Sequence, residues 1–444
     1  MAFVYGLIGL GIIVFIHETG HFLAARLCKV KVESFSIGMG PVIFHKTVKG
    51  TDYRLSLIPL GGYCGMKGEK AFQEALDANQ SEITAPSDSF YGTHPLKRMF
   101  IAFCGPFANI IFAVFAYTLI SIIGYNYYTT GNRIVLSTEM FPEKHSPAAE
   151  GGLKSGDTIL SIDGQKINYF SDISSFAATH PDEDLSVCVE RDGKEEIFKI
   201  HTDMDKTTGM GFIGITSWID LEIKDVTKGS PAENAGIKPD DLITHIDGIK
   251  VNNTVELKNH LEGKETAVFT IIRNGSPFNS ELTADKDNSF GFNFKYIEVK
   301  EGADSLIGAL NSGIKETWEN LTVSLKSIVL LFKGIDFSKA VSGPVRITKM
   351  LGDTAKQGFS AGVSIGFVSV LNFLAIISIS LFIMNLLPIP VLDGGLILFA
   401  LAEFIRRKQI HPKVIYYMQF AGIFLLVLLF GIALYGDLRF LVEK

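Results

Sequence analysis

Four stretches of the chain run apolar for roughly the 20 residues that a bilayer core demands: 2–26, 99–124, 365–387 and 414–435. Their length and uniformity predict membrane-crossing helices. The first has no basic n-region and runs longer than a leader's apolar segment, so it reads as a retained span. Between the spans the pattern changes. Within the connection 28–96, "VKVESFSIGMGPVIFHK" and "DYRLSLIPLGGYCGM" alternate with period two around glycine-rich turns, which predicts strands. Residues 126–300 mix polar and apolar positions as a soluble module does. From 301 to 360 apolar positions recur at helical spacing beside polar faces. That pattern predicts amphipathic helices on the outer membrane surface, with Lys315, Lys326 and Lys333 meeting lipid headgroups.

The soluble middle repeats itself. "SPAAEGGLKSGDTILSIDGQKIN" (146–168) and "SPAENAGIKPDDLITHIDGIKVN" (230–252) align without a gap, so two similar modules are expected at 126–218 and 219–300. Each reads as a short helix opened by Ser-Pro, a strand ended by an Asp-Gly turn, a second helix and further strands. The pattern resembles PDZ domains in circularly permuted order. By that resemblance "GMGFIGI" (209–215) and "SFGFNF" (289–294) are the carboxylate-binding loops, where a sheet edge could take up a peptide. The plainer alternative is that their glycines only form tight turns.

Composition narrows the function. A net charge of -6 and the lack of any long basic run argue against nucleic acid as a partner. Cys28, Cys64, Cys104 and Cys188 have no CxxC spacing, which argues against both a disulfide framework and a cysteine zinc site. Lysines and arginines gather at 26–54, at 97–98 and at 406–413, so those connections are expected to be cytoplasmic and the 126–300 segment external.

The first span holds the chemistry. "IVFIHETGHFLAA" (13–25) places His17, Glu18 and His21 as H-E-x-x-H. On a helix the two imidazoles stack on one face and can reach one metal, with Glu18 about 100° round the helix. From there Glu18 could take a proton from the attacking water, provided a third ligand leaves the metal a fourth, open position. In soluble helices such a match is commonly two surface histidines. In an apolar span a charge costs about 2.5 kcal/mol or more, so the residues need a task. An ion or metal transporter using the same groups as a proton relay is the rival, and a non-catalytic scaffold with structural histidines is a third reading.

The next acid, Glu33, lies in a predicted strand. "MNLLPIPVLDGG" (384–395) is the better source of a ligand: Pro388 and Pro390 break the third span and Asp393 follows, with Gly394 and Gly395 permitting close approach. Spacing alone favours Asp393 as the cap of the next helix.

H-E-x-x-H in one span and Asn385-x-x-Pro-x-Pro-x-x-Asp393-Gly-Gly in another resemble the site-2 protease family of intramembrane zinc metalloproteases. The tandem PDZ-like modules narrow the resemblance to its RseP-like (regulator of sigma-E protease) branch in Gram-negative bacteria. This implies an α-helical polytopic membrane protein with four transmembrane helices, a membrane-associated β-sheet and two tandem α/β PDZ-like domains. It further implies Zn2+ held by His17, His21 and Asp393, with Glu18 as catalytic base. Substrate contacts fall to Asn385, Pro388 and Pro390, and to Gly38 and Gly40 in the sheet region. "GPFAN" (105–109) matches another family motif. Expected partners are a single-span membrane substrate such as an anti-sigma factor, cleaved after an external cut, remnant signal peptides, ligands of the PDZ-like grooves, and membrane lipids. The location implied is the inner membrane with external modules in the periplasm, where their bulk would exclude untrimmed substrates. Residues 67–92 match no motif.

Overall fold

The structure, a computed structural model, describes residues 2–205, 209–286, 288–331 and 343–442; Lys333 lies outside them. Helix α1 (Ala2–Leu27) leads into strands β1 (Val32–Val48) and β2 (Thr51–Met66), helix α2 (Glu69–Asp77) and helix α3 (Pro95–Ile123). The inserted segment carries four short helices, α4 (Pro147–Glu150), α5 (Phe170–Ala178), α6 (Pro231–Asn234) and α7 (Thr254–Leu261). After it come α8 (Leu306–Leu331), α9 (Pro344–Ala361), α10 (Val363–Asn385), α11 (Asp393–Arg406) and α12 (Pro412–Val442). The chain forms two compact units, one of Asn126–Lys300 and one of the segments before and after it.

Among the described residues, four helical stretches are long and apolar enough to cross a membrane: Val4–Leu27, Pro95–Ile123, Val363–Asn385 and Pro412–Arg439. They fall within a few residues of the expected spans, and the chain is a polytopic membrane protein. In lipid every backbone N–H and C=O must be satisfied internally, which is why these runs are helices. Close packing then replaces the hydrophobic drive between them. At Gly20 of α1 an added Cβ would lie 2.2 Å from the Cys104 carbonyl oxygen of α3, so only glycine fits there. Helix α9 buries Leu351 in a cluster with Ile13 of α1 and Leu374 of α10. The buried carboxylate of Asp437 on α12 accepts the Gly343, Val345 and Arg346 N–H groups at the start of α9. That caps donors the helix itself leaves free and accounts for an acid in an apolar span.

The predicted strands at 32–66 curl into more than a hairpin. Residues 32–37 pair with 62–66 on one side and 52–55 on the other, and 52–55 pair in turn with 44–47. The resulting order is 62–66, 32–37, 52–55, 44–47; the two outer pairings are antiparallel, and 34–37 runs parallel to 52–55. Gly38 and Gly40 have φ of +86° and +83°, which lets β1 bend back on itself. A Cβ on Gly38 would stand 2.9 Å from the carbonyl oxygens of Ile58 and Ser56.

In the inserted unit the repeat becomes structure. One antiparallel sheet has the order Gln165–Lys166, Thr158–Ile162, Asp184–Arg191, Lys194–His201; the other has Ile249–Lys250, Leu242–Ile246, Thr266–Arg273, Ser276–Thr283. Each copy has its own apolar core, centred on Ile159 and Val187 in the first and on Ile243 and Phe269 in the second. Ser146 and Ser230 accept the Ala149 and Glu233 N–H groups to open α4 and α6. Arg191 grips Asp157 with two nitrogens, and Arg273 grips Asp241 in the same way.

Candidate metal centre

Helical spacing sets His17 one turn before His21 on α1, with their Nε2 atoms 3.2 Å apart and the rings edge to face. Asp393 meets them from the far end of the chain. Its Oδ2 lies 3.2 Å from His17 Nε2 and its Oδ1 lies 3.3 Å from His21 Nε2. The three side chains are only 10–13 % exposed. Two ligands held tetrahedrally at about 2.05 Å from a zinc ion stand about 3.3 Å apart, so this triangle has the size of three corners of such a site. Two imidazoles and a carboxylate are also a donor set suited to zinc.

Asp393 reaches this position because Pro388 and Pro390 lie in the irregular stretch that separates α10 from α11. The turn is tight: a Cβ on Gly394 or on Gly395 would lie 2.3 Å from the Leu387 or Ile389 carbonyl oxygen. The capping role favoured by spacing does not hold. Leu392 occupies the N-cap without a side-chain cap bond, and the Asp393 carboxylate turns to the histidines instead.

A second ring of groups fixes the three candidate ligands. His21 Nδ1 donates to the Ile101 carbonyl oxygen of α3 at 2.9 Å, which leaves Nε2 as the metal-facing atom. The Asn109 Nδ2 stands 3.3 Å from His17 Nδ1, and its buried Oδ1 has no partner among the described residues, so exchanging the two by a turn of the amide satisfies the oxygen. With that oxygen turned to the ring it accepts the Nδ1–H of the tautomer whose Nε2 is free for metal. Gly105 admits the His21 ring itself, since a Cβ there would sit 2.1 Å from Nε2. Glu18 lies beside both histidines and Asp393 and accepts the Cys64 N–H from β2. Further along α11 the buried Glu403 pairs with Arg98 of α3 and accepts the Ile410 N–H at 2.9 Å.

The structure thus brings His17, Glu18, His21 and Asp393 together. Asn385 is the last residue of α10, half-buried, eight positions before Asp393. Gly38 and Gly40 sit in the bend of β1, and no described contact ties them to the ligands. Sequence reasoning missed the Ile101 carbonyl, the roles of Gly105 and Asn109, and the Cys64 N–H. "GPFAN" was the one available signal for the glycine and the asparagine. The four cysteines are all free.

Residues 5–429 match the model of peptidase family M50. The chain belongs to that family. It is 43% identical over 444 residues to a Treponema pallidum protein named as a zinc metalloprotease, covering 99% of both chains. It is 34% identical over 458 residues to a Borreliella burgdorferi protein of the same description, covering 100% of this chain and 99% of that one. It is 30% identical over 458 residues to the regulator of sigma-E protease RseP of Escherichia coli, covering 97% of each. The RseP-like resemblance is therefore sound, and this M50 peptidase is an intramembrane protease in which the helix carrying His17 and His21 is itself a candidate span.

Proposed function

We propose that the chain is a zinc-dependent endopeptidase that cuts single-span membrane proteins inside the bilayer, with His17, His21 and Asp393 as ligands and Glu18 as base. The observation that carries this is the meeting of three ligand atoms, within 4.8 Å of one another, from α1 and the start of α11. When bound, zinc polarises the scissile carbonyl and brings the pKa of its water to about 7. The remaining work belongs to the chain. Glu18, oriented by the Cys64 N–H, takes the proton from the attacking water on its carboxylate and passes it to the amide nitrogen as the C–N bond breaks. Ile101 and Asn109 keep both imidazoles in the metal-facing tautomer.

A helical substrate must first unwind, because its amides are otherwise bonded internally. The outer strand 62–66 offers an edge beside Glu18 for that extended segment, while Asn385, Pro388 and Pro390 support it from the third span. Gly38 and Gly40 bend the sheet that would receive the substrate. Exposed Val42, Ile43, Phe44, Leu55 and Leu57 support a sheet lying against lipid. So do Leu306, Ile307, Leu310 and Trp318 for α8, whose Lys315 and Lys326 suit headgroups. The repeated modules are read as PDZ-like, external and periplasmic to an inner-membrane enzyme. The resemblance to RseP supports an anti-sigma factor as substrate.

The test is metal analysis beside cleavage of a model transmembrane peptide. Glu18→Gln should keep stoichiometric zinc and lose cleavage by at least about 10³-fold, and Asp393→Ala should lose zinc. Full activity in Glu18→Gln would remove the base from this reading, and full zinc in Asp393→Ala would remove the third ligand.

A further inference from the structure

Residues 67–92 have no part in the metal centre, yet they close a cavity next to it. The cavity measures about 420 Å³ and is lined by Cys64 and Met66 of β2, Phe72 of α2, Tyr91, Leu396 of α11 and Gln419 of α12. Its long wall is aromatic. The Phe72 and Tyr91 rings stack with centroids 5.3 Å apart and planes 16° from parallel. The rest of that wall is set by a small core in which Ala75 and Ile83 pack with Phe399, Ile410 and Ile415, so the segment is folded onto α11 and α12. Lys67 anchors its start through Asp88, and the Gln409 side chain joins the Ile83 backbone by two hydrogen bonds.

Two of the lining residues belong to the catalytic surroundings. Cys64 gives its N–H to Glu18, and Leu396 stands one helical turn beyond Asp393. Cys64 and Met66 are two apart on the outer strand of the sheet, so their side chains share the face that borders the cavity. A peptide paired to that strand projects its alternate side chains to the same face. Such a peptide comes from a membrane span and carries apolar side chains.

We infer that this cavity is a specificity pocket that takes one bulky apolar side chain of the substrate, Leu- or Phe-sized, beside the scissile peptide. This rests on the catalytic reading above and adds to it the residues that choose where the cut falls. The pocket's walls come from the otherwise unassigned segment 67–92, which gives that segment a task.

The experiment uses the full chain loaded with zinc and a set of transmembrane peptides identical except for Ala, Leu or Phe at each position flanking the cut. In wild type one position should favour Phe or Leu over Ala by about 10-fold or more in kcat/KM. Leu396→Trp, which fills the pocket, should lower that Phe/Ala ratio by about 10-fold at that position and at no other. Gln419→Phe fills it from α12, away from Asp393, and should do the same; it decides the matter if Leu396→Trp loses zinc or fails to fold. Phe72→Ala, which enlarges the pocket, should raise the ratio for a Trp-bearing peptide over the Leu one. Ratios that stay flat in Gln419→Phe and Phe72→Ala, while wild type cleaves and Glu18→Gln does not, overturn the pocket and leave the catalytic reading intact. Cleavage that survives in Glu18→Gln overturns the catalytic reading instead.

Discussion

Gly105→Ala is the sharpest single test of the metal centre, because it adds one methyl group and removes nothing. The new Cβ would stand 2.1 Å from His21 Nε2, 2.3 Å from Cε1 and 2.7 Å from Cδ2. Ordinary contact begins near 3.4 Å, so the ring must withdraw by the difference, 3.4 minus 2.1 or 1.3 Å. It cannot swing aside freely, since Nδ1 is held at 2.9 Å by the Ile101 carbonyl oxygen on the same helix as Gly105. Metal–ligand distances tolerate about 0.2 Å, several-fold less than this shift. Displacing a ligand or its support costs about 10- to 100-fold in metal affinity, and a 1 Å misplacement about 100-fold in turnover. Zinc retained per chain after dialysis against graded chelator measures the first, and cleavage of a transmembrane peptide the second. Gly11→Ala on α1 is the control, because its Cβ meets nothing within 4 Å. Wild-type zinc retention in Gly105→Ala would refute the idea that the glycine exists to admit His21.

Other perturbations follow from the same contacts. Arg98→Met strands the Glu403 carboxylate, only 3 % exposed, and should cost about 3–5 kcal/mol in detergent unfolding, with Arg98→Met/Glu403→Leu recovering most of it. An unfolding free energy for the single variant within 1 kcal/mol of wild type would count against a buried pair. In the inserted unit burial pushes the Asp241 carboxyl up, but the Arg273 guanidinium and the Lys238 N–H outweigh it and hold the group below the usual carboxylate range. Its stabilisation is therefore fully present above about pH 4 and is lost as pH falls through the lowered value. Thermal unfolding of the full chain from pH 7 to pH 2 should show a shallower acid loss in Asp241→Asn than in wild type, and identical slopes would contradict it.

How much of this was legible beforehand divides along a physical line. Spans are readable because lipid imposes a minimum apolar length, and the four predicted ones match the helices that qualify. The His17–His21 pair is readable because helical period alone makes i and i+4 neighbours. The repeat is readable because Ser146 and Ser230 keep one cap, and Asp157 and Asp241 keep one arginine partner each, at corresponding places. Asp393 shows where local rules stop. An acid before a helix scores as a cap by short-range chemistry, and only packing of Gly394 and Gly395 onto the preceding carbonyls turns it toward α1. The Ile101 carbonyl was unreadable in principle, because every residue has one. The curl of β1 and β2 was half-readable: glycines at 38 and 40 signal a bend, but not that 32–37 will end between two neighbours.

The less readable contacts share a location, and that explains the design of the centre. Helix α3 supplies no ligand, yet it is tied to each element that bears or adjoins one. Ile101 holds His21, Asn109 holds His17, and Arg98 holds Glu403 of the helix that begins at Asp393. The Asn109 carbonyl oxygen also accepts the Ser378 hydroxyl of α10 at 3.0 Å. A bilayer gives helices little reason to choose one register over another, since lipid tails solvate leucine as well as a neighbouring helix does. Three ligands from two segments, by contrast, must converge to within a few tenths of an ångström. Polar ties inside the bundle reconcile the two demands, because in that environment a broken hydrogen bond has no water to replace it. On this argument the second span is the frame of the active site, and variants at Arg98, Gly105 or Asn109 should fail through metal geometry although His17, His21 and Asp393 are themselves unchanged.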